Sequence, residues 1–202
     1  MRRQILVATT NPGKAAELAA MLDLDVDWLT LTDIGPTCEV PEDGKTFAEN
    51  ARKKALGYAA QANLWTLADD SGLVVDALDG APGIHSARFS GEKTPDRTLL
   101  DHKNMAKLLD LLKDTPTEKR TARFVCHLCL AAPEKILAEA RGTLEGLIAT
   151  EQQGTHGFGY DPIFYVPSLK KTVAQLTPTQ KNQISHRANA TKNLTPLLKN
   201  IL

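Results

Sequence analysis

The sequence has no long apolar run. Its first one, Ile5-Leu6-Val7-Ala8, stops at polar Thr9, far short of a signal-peptide core or a membrane span. A soluble, cytoplasmic protein with no membrane partner is expected. There is also no excess charge: 24 lysines and arginines balance 24 aspartates and glutamates. No overall basic field draws the chain to nucleic acid, so any phosphate binding must be local. Three cysteines, Cys38, Cys126 and Cys129, give no even disulfide framework, which fits a reducing compartment. Cys126-His127-Leu128-Cys129 has the spacing of a redox or zinc motif. However, residues 123–130 read as a strand, whose period of two puts the two thiols on opposite faces and favours packing in a two-sided sheet. Repeats, low-complexity tracts and linkers are missing too, and 202 residues suit a single domain, 1–202.

What is present centres on Ala68-Asp69-Asp70-Ser71-Gly72. It follows the apolar run Leu64-Trp65-Thr66-Leu67 and precedes Leu73-Val74-Val75, so it reads as an acidic site where one strand ends and the next begins. Carboxylates and hydroxyls are hard oxygen ligands suited to Mg²⁺, which keeps several waters and shares one or two carboxylates with substrate phosphates. The same pentapeptide also suits a polar hairpin turn, with Asp capping amides and Gly supplying positive φ.

In chain order, residues 4–9 read as a buried strand and Asn11-Pro12 as a helix start, with Ala15, Leu18, Ala19 and Leu22 on one face. Thr9, Thr10, Asn11, Gly13 and Lys14 sit at this join. A helix N-terminus plus a lysine suits a triphosphate, although the spacing is not that of a Walker A loop, and a capping Asn11 beside a solvated Lys14 explains the loop almost as well. Residues 25–31 read as a second strand. Thr46-Phe47-Ala48-Glu49 reads as a capping box opening a helix to about Ala62. Residues 80–88 read as an irregular loop. Thr94-Pro95 starts a core-packing helix with Met105, Leu108, Leu109 and Leu112 on one face and His102 at the surface. Residues 121–131 and 136–144 read as a hairpin about Pro133-Glu134. Gly157-Phe158-Gly159-Tyr160-Asp161 is loop chemistry: its rings either stack on a base or fold back into the core. Thr177-Pro178 opens a further helix through Lys181 and Ile184, and Ser185-His186-Arg187 lies within or between two helical pieces.

These segments together resemble the inosine triphosphate pyrophosphatase family, in the family's order and spacing from residue 5 to about residue 190. They are residues 9–14, 46–51, 68–73, 80–88, 157–162 and 185–187. The resemblance implies an α/β fold of two lobes about a long mixed β-sheet flanked by helices, with the active-site cleft between the lobes, and a homodimer. It implies hydrolysis of non-standard purine nucleoside triphosphates (ITP, dITP, XTP) to monophosphate and pyrophosphate. In its terms Asp70 is the catalytic proton acceptor and a Mg²⁺ ligand, and Glu42 falls at or next to the second metal carboxylate. Thr9, Thr10, Asn11, Pro12, Gly13, Lys14 and Lys54 hold the triphosphate. Ser71, Phe158, Gly159, Tyr160, Asp161, Lys181, His186 and Arg187 contact nucleotide and base. Thr10 stands where glycine is frequent in the family, His85 where tyrosine is, and Gln175 where an acid is.

The chemistry asks for these groups independently. Splitting a triphosphate needs a metal to neutralise oxygens, cations for the leaving pyrophosphate and a carboxylate to orient water. Neighbouring strand residues point to opposite faces, so Asp70 is assigned to water or metal and Asp69 to support. Arginine has only donors, so Arg187, with His186, is expected to read the keto oxygen at position 6 of the purine. A nucleotide sensor would keep the phosphate loop and base pocket without needing Asp70 and Glu42. A pyrophosphatase for modified pyrimidine triphosphates is the nearest rival enzyme.

Overall fold

A computed structural model of the chain describes residues 2–9, 14, 17–18, 21–22 and 24–202. Among the described residues seven strands form one sheet: β1 (Arg3–Ala8), β2 (Val26–Thr30), β3 (Trp65–Val75), β4 (Thr121–Ala132), β5 (Lys135–Ile148), β6 (Phe164–Val166) and β7 (Lys171–Thr172), in the order β2-β1-β3-β4-β5-β6-β7. β1 is parallel to β2 and β3, whereas β6 is antiparallel to β5 and β7. The sheet is therefore mixed, and the α/β class expected from the sequence holds. Helices α1 (Phe47–Ala62), α2 (Arg97–Leu111), α3 (Pro178–Ile184) and α4 (His186–Lys199) accompany it. Lys14, Glu17, Leu18 and Met21 are also helical. The expected cap at Asn11-Pro12, and Ala15 and Ala19, lie outside the described residues. No described helix is long and apolar enough to cross a membrane.

The chain divides into two compact units, Met1–Ser71 with Cys126–Thr143 and His186–Leu202, and Gly72–Val125 with Leu144–Ser185. In the first, strand alternation sends Ile5, Val7, Leu67, Leu128 and Leu130 to one face, under Leu194 and Leu198 of α4. It sends Leu6, Ala8, Ala68 and Ala131 to the other, under Ala51, Ala55 and Tyr58 of α1. Cys126 belongs to the first cluster and Cys129 to the second, as the strand period requires. α4 lies directly on β5: a Cβ at Gly142 would land on the backbone of His186 and Ala190. Asn189 and Asn193 donate to the carbonyls of Thr143 and Arg141 at 2.8 and 2.9 Å. This close seating fixes the start of α4, which carries His186 and Arg187.

In the second unit, Leu73 and Val75 pack with Phe124, Ile148, Phe164 and Val166 and with Met105, Leu108 and Leu112 of α2. Phe124 and Phe164 stack with centroids 4.4 Å apart. Buried Arg120 closes the end of α2, donating to the carbonyls of Leu112, Thr115 and Ala149 at 2.8, 3.0 and 3.1 Å.

Several local expectations shift. Ala68–Gly72 does not separate two strands, because β3 runs unbroken from Trp65 to Val75. What stops there is β1, whose Ala8 pairs with Ala68, so Asp69 begins the part of β3 beyond its partner's end. The cap at Thr46 is half the expected box. Glu49 N donates to Thr46 Oγ1 at 3.1 Å, but the Glu49 carboxylate accepts from Lys45 N at 2.7 Å. α2 starts after Asp96, whose carboxylate accepts from Leu99 N, two residues later than Thr94-Pro95 suggests. Residues 83–88 are a 3₁₀ helix, and β5 continues through Gly146 to Ile148. His102 is exposed.

Candidate functional site

The first unit gathers its charged side chains around Asp69. This carboxylate is fully buried in β3; Lys14 Nζ lies 2.5 Å from Oδ1, and Arg187 Nε donates to Oδ2 at 3.1 Å. The Cys126 thiol donates to the same Oδ2 at 3.2 Å. Burial alone would raise the Asp69 carboxyl, but Lys14, Arg187 and Lys54 outweigh it and hold it well below the usual carboxylate range. Its neighbours therefore hold Asp69 as an anion. The Cys126 thiol is pushed up, by burial first and then by Asp69, so it stays a donor.

Arg187 is 1 % exposed, and its three nitrogens all have acceptors in this unit: Asp69, the Ser71 hydroxyl at 3.0 Å and the Glu17 carboxylate. In this arrangement it orders Asp69 and Ser71. Lys54, also buried, donates to the Asp69 carbonyl at 2.6 Å and to Glu42 Oε1 at 2.8 Å. Burial disfavours its charge, yet Glu42, Asp69 and Asp70 raise its pKa on balance.

Asp70 is the exception in this network. Its side chain points away from that of Asp69, as strand geometry demands. It is 6 % exposed, and Oδ2 has no hydrogen-bond partner. Burial, followed by the opposing pull of Lys54 and Lys14 and the repulsion of Glu42 and Asp69, leaves its pKa raised to about 6. A carboxylate with a vacant buried oxygen and a pKa near neutrality can take up a proton or a cation. Hard oxygens from Asp70 and Glu42 suit Mg²⁺. Among the described residues no group of three or more His, Cys, Asp and Glu side chains could hold a metal ion; it is the buried, unpartnered Asp70 oxygen whose chemistry fits one. Thr9 and His186 belong to this unit, half-buried and buried respectively. Thr10, Asn11, Pro12 and Gly13 lie outside the described residues.

The second unit brings together the other predicted contacts. Phe158 N donates to Asp161 Oδ2 at 3.0 Å, and Lys181 Nζ donates to the same oxygen at 2.7 Å. That ammonium also lies 4.4 Å from the Phe158 ring centroid, a cation–π contact. Gly157 adopts φ +82°, and a Cβ there would overlap the Asp161 carboxylate. The two rings part company: Tyr160 folds into the core and donates from its hydroxyl to Ser86 O at 2.9 Å, while Phe158 stays half-buried. Gly159 N donates to Asp101 Oδ2 at 2.8 Å. Glu17, Cys126, Ser86 and Asp101 are the contributors that sequence reasoning missed. Only the position of Cys126, inward on a strand next to β3, carried a signal for any of them.

The pattern of the Ham1 family matches residues 5–197. The chain is 50 % identical over 200 residues to the dITP/XTP pyrophosphatase of Exiguobacterium sibiricum and 45 % identical over 198 residues to that of Bacillus subtilis, covering 98 % of each chain in both cases. The solved structure of the Staphylococcus aureus Ham1 protein superposes with a TM-score of 0.86 at 42 % identity, covering 99 % of this chain and 100 % of that one.

Proposed function

The chain belongs to the Ham1 family, and we infer that it is a hydrolase that splits non-standard purine nucleoside triphosphates (dITP, XTP and ITP) into the monophosphate and pyrophosphate with the help of Mg²⁺. The names of its relatives support the substrate class. The observation that carries the chemistry is Asp70: buried, with one unpartnered oxygen, a pKa of about 6, and two lysines acting on it.

In this reading Asp70 and Glu42 hold the metal, which when bound neutralises phosphate oxygens and lowers the pKa of bound water. Asp70 orients the attacking water and accepts its proton. Lys14 and Lys54 face the phosphates and the leaving pyrophosphate. Asp69, kept anionic, fixes where Lys14, Lys54 and Arg187 stand. Phe158 offers a ring face to the base, and Asp161 and Lys181 hold that ring in place.

Pyrophosphate release from dITP, XTP, ITP, dATP and dGTP, with Mg²⁺ and with chelator, tests it. Turnover of the three non-standard nucleotides at least tenfold above the other two, abolished by chelator, is expected. Equal turnover of all five, or turnover that survives chelation, contradicts the reading.

A further inference from the structure

Helix α2 carries two buried polar side chains that the reaction does not use. Asp101 and Asn104 are three residues apart and so share a face. Asn104 Oδ1 accepts from Ser90 N at 2.7 Å, and its amide donates to Ala87 O at 3.3 Å. Asp101 Oδ2 accepts from Gly159 N at 2.8 Å, while Arg97, one turn earlier, approaches Oδ1 at 3.2 Å. Tyr160 bonds Ser86 O. One helix face therefore holds both the segment around residues 83–90 and the loop bearing Phe158, and the Tyr160 bond ties those two together.

The effect on Phe158 is specific. Its own amide is held by Asp161, and the next amide, that of Gly159, is held by Asp101. Both peptide planes flanking its Cα are thus bonded to carboxylates, bonds stronger than neutral ones, and only the side-chain torsions remain to orient the ring. Gly159 itself sits at φ +62°, a turn that a free loop would sample among several.

We propose that Asp101 is a positioning residue for base recognition: by holding the Gly159 amide it fixes the backbone from which the Phe158 side chain projects, and through that the placement of its ring and the selectivity for the purine. The inference rests on the reading that this ring meets the base. Its test compares Asp101→Ala, Asp101→Asn and Phe158→Ala. Asp101→Ala is expected to raise KM for dITP about tenfold, as loss of a buried charge-assisted bond does, with kcat changed less than about threefold. Inhibition by pyrophosphate should be unchanged. Asp101→Asn keeps an acceptor oxygen and should restore most of the KM. Amide hydrogen exchange at Gly159 gives a readout without turnover: slow in the parent and in Asp101→Asn, fast in Asp101→Ala.

If Asp101→Ala does not fold, the parent's Gly159 exchange and the Asp101→Asn KM still decide. Fast exchange in the parent overturns the inference. So does a tenfold KM loss in Asp101→Asn with Gly159 still protected. KM raised by Phe158→Ala but not by Asp101→Ala overturns the inference alone. KM unaffected by Phe158→Ala overturns the base-binding reading with it.

Discussion

The carboxylates at the two predicted contact regions differ in what they hold besides cations. In the first, Asp69, Glu17 and Glu42 face side-chain cations, Lys14, Lys54 and Arg187. In the second, Asp101 and Asp161 each meet a cation too, Arg97 and Lys181, but they also accept from the backbone amides of Gly159 and Phe158. A network of full charges sets local potential and responds to pH and to a bound ion. Carboxylates that accept from amides as well as from cations also shape a loop. Under the proposed function the first set would meet phosphate and metal, and the second set the base.

The contrast breaks most severely at Arg187. Removing its guanidinium leaves Asp69 and Glu17 facing each other's field without their shared cation. Arg187→Ala should therefore lower stability by about 3–5 kcal/mol, as expected when one partner of a buried pair is lost. Urea unfolding of the metal-free protein checks this, and a loss below about 1 kcal/mol would mean that the network is slack.

Asp70 comes next. Asp70→Asn should lower turnover of dITP by roughly two orders of magnitude, the usual effect of losing a general base, without harming the fold. Stability supplies a second signature. A carboxyl whose folded pKa is raised stabilises below its unfolded value, 3.8, and that contribution disappears as pH rises through the folded value, about 6. The metal-free parent should accordingly lose up to roughly 3 kcal/mol between pH 4 and pH 7 relative to Asp70→Asn. Parallel stability profiles for the two proteins would place Asp70 in water.

The smallest effect belongs to the second unit. Tyr160→Phe removes one hydrogen bond to Ser86 O and keeps the ring in the core, so a cost of about 1 kcal/mol is expected. Pyrophosphate affinity should not change; if it falls with stability, the two regions are not separate in the way described.

Much of this was legible in the sequence because it rests on short-range rules. Thr177-Pro178 does cap α3, Met105 and Leu108 sit where the α2 pattern places its buried face, and the opposite facing of Cys126 and Cys129 follows from strand period alone. The site residues could be gathered only through the family resemblance, since Lys14, Asp69 and Arg187 meet across more than a hundred residues of chain and no local pattern encodes that. The unbroken course of β3 was misread because Asp-Asp-Ser-Gly has turn composition. What keeps it extended is burial of every one of its residues except Trp65, Ser71 and Val74, a tertiary effect. Asp101 was invisible for the same reason: on its own helix it is one more charge four residues after an arginine.

The division of work is tested most directly by titrating pyrophosphate and inosine monophosphate, each with Mg²⁺, into Lys14→Ala and Phe158→Ala by calorimetry. Lys14→Ala should weaken pyrophosphate about tenfold or more and leave the monophosphate within about threefold, as loss of one charge-assisted contact predicts. Phe158→Ala should do the reverse, since base stacking on an aromatic ring contributes roughly 1–3 kcal/mol. If each substitution weakens both ligands to the same extent, phosphate and base are not handled by separate regions and the account is wrong.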